Sequence, residues 1–158
     1  MQSSPSSFSK KQLANMGLSI HNRDTYSIRI IQNIVWGEMD AFSHVNNTVY
    51  FRYFENGRID YFAKLDILNQ NGEGPILAHT QCQYVRALIY PDEIEIGTRV
   101  SKISNTSFKM DNAVWSKSFG LAAYSSSIIV LINYKTGEKI KVSDEFKQKV
   151  NALEGKEI

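Results

Sequence analysis

The segment between residues 47 and 68 has the apolar spacing of one long helix that is buried on more than one side. Its apolar residues recur three and four positions apart, while Phe51, Ile59 and Phe62 fall outside the main stripe. Apolar groups then cover more than half of the helix circumference, which is typical of a helix wrapped by other elements. Gly57 lies on the stripe and lowers helix stability by up to ~1 kcal/mol relative to alanine. We therefore expect Gly57 to mark a close approach to a strand.

Strand patterns lie on both sides of this helix. Alternating apolar residues predict a first strand that begins near Asp24 and ends at Gly37. After a predicted loop over residues 69–75, four further strands are predicted over residues 76–85, 93–104, 107–117 and 121–133. Hairpin turns are expected at Asn105–Thr106 and Phe119–Gly120, and Ser143 opens a short terminal helix. This order predicts an α+β hotdog fold, in which a curved antiparallel sheet of about five strands wraps the long central helix.

The bulk composition describes one ordinary globular domain. The chain has 158 residues, and its 18 basic and 16 acidic side chains are interspersed and leave a net charge of +2. We expect a single domain over residues 21–158, a poorly ordered serine-rich arm over residues 1–20, and no nucleic-acid partner. No apolar stretch approaches the ~18 residues of a membrane span, so no membrane partner is expected. The arm lacks the apolar core of a secretory signal, which predicts a cytoplasmic protein.

The chain has one cysteine, Cys82, which excludes an intrachain disulfide and favours a reducing compartment. It lies in the alternating pattern of residues 76–85. That pattern predicts a buried or half-buried thiol. A reactive role is not favoured, because no neighbour in the sequence would lower the pKa of the thiol.

The segment Trp36–Phe62 reads WGEMDAFSHVNNTVYFRYFENGRIDYF. It closely resembles the 4-hydroxybenzoyl-CoA thioesterase-like branch of the hotdog superfamily, whose members carry MD-FGHVNN-x-x-Y-x-x-YFE-x-AR-x-YF. A second segment, Val85–Val100, reads VRALIYPDEIEIGTRV and is similar to the strand pair that follows in the family.

The resemblance implies an acyl-CoA thioesterase that uses neither a metal nor a redox cofactor. Asp40 matches the family's catalytic acid, which either attacks the thioester carbon or activates water. Backbone N–H groups at the start of the long helix have no intrahelical partner and lie at the positive end of its dipole. The N–H of Asn47 is the matching donor to the oxyanion.

Several neighbouring residues have two interpretations. His44 either orients the acid or a water, as the histidine of HVNN does in related acyl-carrier-protein thioesterases, or only shapes the loop. We expect the side chains of Asn46 and Asn47 to act structurally. Glu55 on the helix is the rival to Asp40, because some hotdog thioesterases carry their acid there. A buried ion pair between Glu55 and Arg58 is the simpler expectation.

The substrate contacts are less constrained by the motif. Arg86 matches an arginine of the family and is the candidate for the CoA phosphates, with a solvated strand arginine as the alternative. Tyr50, together with Tyr53, Tyr84 and Trp115, either lines an acyl pocket or belongs to the core. Two departures stand out. Ser43 replaces the usual glycine of the loop, and Phe42 favours the CoA branch over acyl-carrier-protein thioesterases.

Two other functions stay open on the sequence alone. One is a hotdog module that binds an acyl group or CoA without catalysis, and the other is an acyl-carrier-protein thioesterase. A hotdog dehydratase is a third class, whose distinctive motifs are not evident. The family also pairs its sheets edge to edge, so a homodimer or homotetramer is expected with acyl-CoA as the substrate.

Overall fold

The computed structural model of the chain describes residues 21–67 and 71–158. Its elements in chain order are strand β1 (Ile28–Asn33), helix α1 (Val49–Leu65), strands β2 (Glu73–Tyr84), β3 (Glu93–Ile103), β4 (Ser107–Ser116) and β5 (Gly120–Asn133), and helix α2 (Asp144–Glu154). Single turns of 3-10 helix flank β1 at Arg23–Thr25 and Trp36–Glu38. The predicted order of strand, long helix and four strands is confirmed. The arm predicted over residues 1–20 lies outside the described residues.

The strands form one antiparallel sheet in the order β1-β3-β4-β5-β2. The β3–β4 hairpin turns at Asn105–Thr106, as predicted. The β4–β5 turn covers residues 117–119, so the predicted turn at Phe119–Gly120 is displaced and Gly120 already begins β5. Strands β1 and β2 are the edges. Within residues 21–67 and 71–158, strand β2 pairs with β5 alone, and most of its 12 residues are exposed to solvent.

Helix α1 packs across β1, β3 and β4, and its buried aromatic residues form the centre of the core. One core cluster lies near the start of the helix and contains Tyr50, Tyr53 and Phe54. A second cluster lies near its end, where Tyr61 and Phe62 meet Phe146 of α2. Burial of these residues around the helix confirms the prediction that the sheet wraps it.

Gly57 marks the closest approach between helix and sheet. A Cβ atom at this position would lie 2.2 Å from Oγ1 of Thr98 on β3. Thr98 is fully buried and its hydroxyl accepts a hydrogen bond of 2.7 Å from Asn112 Nδ2, so it cannot withdraw without loss. The predicted close approach is confirmed.

Three predicted boundaries shift in the structure. Strand β1 is shorter than the predicted span from Asp24 to Gly37, because both ends of that span form 3-10 turns. Helix α1 is shorter than the predicted span of residues 47–68, because residues 47 and 48 form a turn and Asp66 adopts a left-handed conformation with φ of 55°. The loop predicted over residues 69–75 is too long, since Gly74 and Pro75 already pair with β5. An edge strand tolerates proline, because a missing N–H on its open side removes no ladder hydrogen bond. The predicted start of α2 is confirmed by Ser143, whose Oγ accepts the N–H of Phe146 at 3.1 Å.

Candidate active site

The loop before α1 is a short hairpin that closes over three residue pairs. Met39 and Val45 form an antiparallel bridge. On the turn side of this bridge, the N–H of Asp40 donates to the carbonyl of His44 at 2.7 Å. Below it, the N–H of Asn46 donates to the carbonyl of Glu38 at 2.9 Å. The hairpin therefore fixes Asp40 and His44 opposite each other and leads directly into the helix.

The carboxylate of Asp40 folds back onto the tip of this hairpin. Its Oδ1 accepts the backbone N–H of Phe42 at 2.8 Å and that of His44 at 3.3 Å. The turn between them contains Ser43 in the left-handed region at φ of 62°, the position where the family motif carries glycine. Asp40 therefore has a structural role in stabilising a turn that serine adopts at some cost.

His44 takes part in the hairpin through its backbone. Its N–H and carbonyl both pair with Asp40, and its half-buried ring makes no hydrogen bond or ion pair with the described residues. This arrangement fits the loop-shaping interpretation and leaves the ring nitrogens available at the surface of the hairpin.

At the start of α1, the backbone N–H of Asn47 is left without an acceptor among the described residues. Asn46 accepts two of the three backbone N–H groups that follow it. Its Oδ1 accepts the N–H of Thr48 at 3.0 Å, and its carbonyl accepts the N–H of Val49 at 2.9 Å. The N–H of Asn47, between them, meets no acceptor in residues 21–67 or 71–158. The predicted structural role of Asn46 is confirmed by its contacts with Thr48. The N–H of Asn47, which the motif assigns as the oxyanion donor, is open in the structure, and its role stays a prediction.

The end of β2 and the segment that follows it contact this end of the helix. The hydroxyl of Tyr84 donates to the carbonyl of Asn47 at 2.8 Å. The hydroxyl of Tyr50 accepts the N–H of Leu88 at 3.0 Å, and the carbonyl of Leu88 accepts from Val45 at 2.9 Å. Burial raises the pKa of Tyr50, with a smaller contribution from the negative charge of Asp40. Tyr50 is thus a core residue beside the site.

Arg86 lies at the same end of the molecule, between Tyr84 and Leu88 in sequence. Its guanidinium stacks on the ring of Phe119, 4.3 Å from the ring centroid, and its backbone N–H donates to the carbonyl of Ala122 at 3.0 Å. It is half-buried and forms no ion pair with the described residues. The position fits a contact to substrate phosphates, which stays a prediction.

The predicted ion pair between Glu55 and Arg58 is wrong. Glu55 instead pairs with Arg52, one turn earlier, at 3.0 Å between Arg52 Nη1 and Glu55 Oε2. Arg52 and Arg58 both lie three residues from Glu55 in the helix. Arg52 is in solvent, where an ion pair forms without desolvation, whereas Arg58 is only 7% exposed. Glu55 therefore lies on the solvent-exposed side of α1, where Arg52 holds its carboxylate.

Glu38, which the sequence did not single out, joins the hairpin to Tyr53 of the helix. The hydroxyl of buried Tyr53 donates to Glu38 Oε2 at 2.7 Å, and the same oxygen accepts the N–H of Val35 at 2.8 Å. This pair fixes the base of the hairpin to the helix.

Trp115, considered for an acyl pocket, instead packs in a separate cluster with Tyr26 and Ala113.

Cys82 is half-buried on β2, as predicted, and burial raises its pKa to about 11. Its thiol is therefore neutral at physiological pH and a poor nucleophile.

Within the described ranges, no three His, Cys, Asp or Glu side chains are grouped so that they could hold a metal ion. The helices of the same ranges are all too short or too polar to cross a membrane.

The fold and this hairpin–helix junction define an α+β protein of the hotdog class. Residues 34–150 match the sequence profile of the thioesterase-like superfamily, and the chain belongs to that family. A thioesterase from Thermus thermophilus, solved in complex with coenzyme A and Zn, superposes with a TM-score of 0.75 at 25% identity over 84% of this chain and 98% of that one.

Two other relatives are similar over most of the chain. The DHNA-CoA thioesterase of Staphylococcus aureus shares the fold, with a TM-score of 0.72 at 22% identity over 82% of this chain and 95% of that one. The uncharacterized protein YsmA of Bacillus subtilis is 26% identical over 118 residues, which cover 73% of this chain and 80% of YsmA. The hotdog fold predicted from the sequence is confirmed.

Proposed function

We propose that this protein hydrolyses acyl-CoA thioesters to a carboxylic acid and free CoA. Membership of the thioesterase-like superfamily supports the reaction class. The complex of the Thermus thermophilus thioesterase with coenzyme A supports CoA as the carrier. The observation that carries the proposal is the open N–H of Asn47 at the start of α1, on the segment that continues directly from the Asp40 hairpin.

In the proposed reaction, the N–H of Asn47 donates to the thioester oxygen as negative charge develops on it. The positive end of the α1 dipole strengthens this contact. Asp40 either attacks the carbonyl carbon, which gives an anhydride that water then opens, or takes a proton from the attacking water. In both routes the C–S bond breaks, the thiolate gains a proton and the acyl group gains hydroxyl from water.

The other residues have supporting roles in this proposal. Arg86 binds the CoA phosphates through its guanidinium. Tyr50 forms the wall beside the acyl group, and the ring of His44 orients Asp40 or the attacking water.

Asp40→Asn tests the assignment sharply, because the asparagine Oδ1 can still accept the N–H groups of Phe42 and His44. The turn is thereby preserved while the base or nucleophile is removed. We expect turnover to fall by at least ~100-fold, with the thermal unfolding midpoint close to that of the wild type. Thiol release from short, long and aromatic acyl-CoAs is the measurement.

Glu55→Gln is the matched control, since it removes a carboxylate of the same motif from the outer side of α1. Wild-type turnover in Asp40→Asn together with inactive Glu55→Gln would contradict the assignment of Asp40. A wild-type protein that binds acyl-CoA but releases no thiol from any of these thioesters would instead establish the non-catalytic binding module.

We also propose that the chain assembles through β2. In the described part of the chain, this 12-residue edge strand has one side without a partner strand, and Ile76 and Leu77 are 45% and 43% exposed on it. A long edge strand of this kind is a template for pairing with a second chain. Sedimentation equilibrium should give two or four times the chain mass of 18.0 kDa; a fully active monomer would contradict the assembly.

A further inference from the structure

The ring of Phe119 supports the Arg86 guanidinium. Phe119 lies in the β4–β5 turn and packs against the core cluster that contains Tyr50 and Leu88, beside the start of α1. The guanidinium carbon of Arg86 lies 4.3 Å from the centroid of the Phe119 ring. Stacking uses the flat face of a guanidinium and leaves the N–H groups at its edge able to donate. The ring therefore orients Arg86 without occupying the groups that bind a phosphate.

Ser116 holds the backbone of the turn that carries Phe119. Its Oγ accepts the N–H of Ser118 at 3.0 Å and the N–H of Phe119 at 3.2 Å. Ser116 is fully buried at the end of β4, and its hydroxyl donates to Oδ2 of Asp92. The two N–H groups occupy both lone pairs of the serine oxygen, so the atom that Ser116 meets on Asp92 has to be an acceptor.

The Asp92 carboxylate is the acceptor on which this network depends. Its second oxygen, Oδ1, accepts the hydroxyl of Ser118 at 3.0 Å and the N–H of Glu93 at 2.8 Å. Both carboxylate oxygens therefore face donors. An asparagine at position 92 would turn its NH2 group toward the Ser116 hydroxyl in one orientation and toward the Glu93 N–H in the other. The network requires a carboxylate, because an amide of the same shape cannot accept at both atoms.

We propose that Asp92 is a positioning residue for the binding of the CoA phosphates. It acts through Ser116 and Ser118 on the turn, and the turn fixes the Phe119 ring on which the Arg86 guanidinium lies. A fixed ring keeps the guanidinium in one orientation, so less conformational freedom is lost when a phosphate binds. This inference rests on the contact between Arg86 and the CoA phosphates in the proposed function.

The carrier portion of the substrate provides the test. We compare kcat/KM for one acyl group on CoA with kcat/KM for the same acyl group on N-acetylcysteamine, a thiol without phosphates. The ratio of the two values should fall by about 10- to 100-fold in Arg86→Met, which loses hydrogen bonds to charged groups. It should fall by about 3- to 10-fold in Asp92→Asn, where the guanidinium remains but is less well oriented. Asp111→Asn, an acid-to-amide change in β4 that weakens the ion pairs with Arg99 and Lys109, should keep the wild-type ratio.

A double-mutant cycle separates positioning of Arg86 from a general effect on the fold. If Asp92 acts through Arg86, Asp92→Asn should not lower the ratio further in an Arg86→Met background. Phe119→Leu removes the ring and leaves Asp92 in place. It should lower the ratio as Asp92→Asn does and have no further effect in the Arg86→Met background, and it provides the test where Asp92→Asn does not fold.

A binding measurement distinguishes this inference from the hydrolase proposal, since it needs no turnover. Calorimetry compares free CoA with pantetheine, the portion of CoA that carries no phosphate. We expect the wild type and Asp111→Asn to bind CoA more tightly than pantetheine, and Arg86→Met and Asp92→Asn to lose much of that difference. This result without hydrolysis of any thioester would remove the hydrolase and keep the role of Asp92.

Three results would overturn the proposal. One is equal binding of CoA and pantetheine by the wild type. Another is a folded Asp92→Asn protein that keeps both the wild-type thioester ratio and the wild-type preference for CoA. The third is a fall of the ratio on Asp92→Asn that is as large in the Arg86→Met background as in the wild type, because Asp92 would then act by a route that does not pass through Arg86.

Discussion

Tyr84, the last residue of β2, donates its hydroxyl proton to the carbonyl of Asn47, two residues before α1 begins, at 2.8 Å. The same peptide segment presents the open N–H of Asn47. One end of the edge strand thereby fixes the backbone on which the proposed oxyanion contact depends. The two residues are 37 positions apart in sequence, so no local pattern predicts the contact.

Tyr84→Phe should lower kcat by about 3- to 10-fold, because a lost hydrogen bond of about 1 kcal/mol leaves the Asn47 backbone less well oriented. Steady-state kinetics with one acyl-CoA measures the effect. Tyr134→Phe is the matched control, since the Tyr134 hydroxyl donates to the carbonyl of Pro75 at 2.9 Å near the other end of β2. Equal losses in the two variants would show that the Tyr84 contact has no special link to turnover.

The free energy of unfolding should fall as the pH decreases from 6.5 to 4, and His21 should cause part of the fall. Burial and then the positive charge of Arg99 lower the pKa of His21 to about 4. In this interval the unfolded chain binds a proton at His21 and the folded chain does not, so acid favours unfolding. At pH 4.5, His21 should lower the free energy of unfolding by about 1–2 kcal/mol.

Urea unfolding at pH 7 and pH 4.5 measures this contribution. The pH 4.5 loss should be smaller in His21→Gln than in the wild type, while His79→Gln, at an exposed position of β2, should match the wild type. Identical acid sensitivity in all three proteins would contradict the role of His21.

Glu154 near the end of α2 should contribute strongly to stability. Its Oε1 accepts from the hydroxyl of Tyr61 at 2.6 Å, the N–H of Val100 at 2.7 Å and the hydroxyl of Ser27 at 3.0 Å. Glu154→Ala leaves these donors without their acceptor, so we expect a loss of about 2–4 kcal/mol in the free energy of unfolding. Urea unfolding measures it. Glu145→Ala, which removes only an exposed pair with Lys149, should change the value by less than about 1 kcal/mol.

The sequence predicted the elements that have a local signature. The spacing of the apolar residues in α1, the alternation in the strands and the N-cap at Ser143 each depend on neighbours within a few positions. The close approach at Gly57 was also predictable, because glycine lowers helix stability and its presence inside a helix indicates a position where a side chain does not fit.

Contacts that join distant segments were not predictable in this way. Glu55 has an arginine three residues before it and another three residues after it. Only the burial of Arg58 in the folded chain decides which of the two pairs with Glu55. The same holds for the hydrogen bonds from Tyr53 to Glu38 and from Tyr84 to Asn47. The motif singled out Asp40 as a candidate acid, but the contacts by which its carboxylate shapes its own turn were found only in the structure.

The contact between Gly57 and Thr98 also limits how this sequence can diverge. An alanine at position 57, the usual residue of the family motif, is compatible only with a strand residue that has no γ atom facing the helix. Removal of the Thr98 hydroxyl would in turn deprive the buried amide of Asn112 of its acceptor. Positions 57, 98 and 112 should therefore covary among descendants of this chain, and a single change toward the family consensus would be selected against unless the other two change with it.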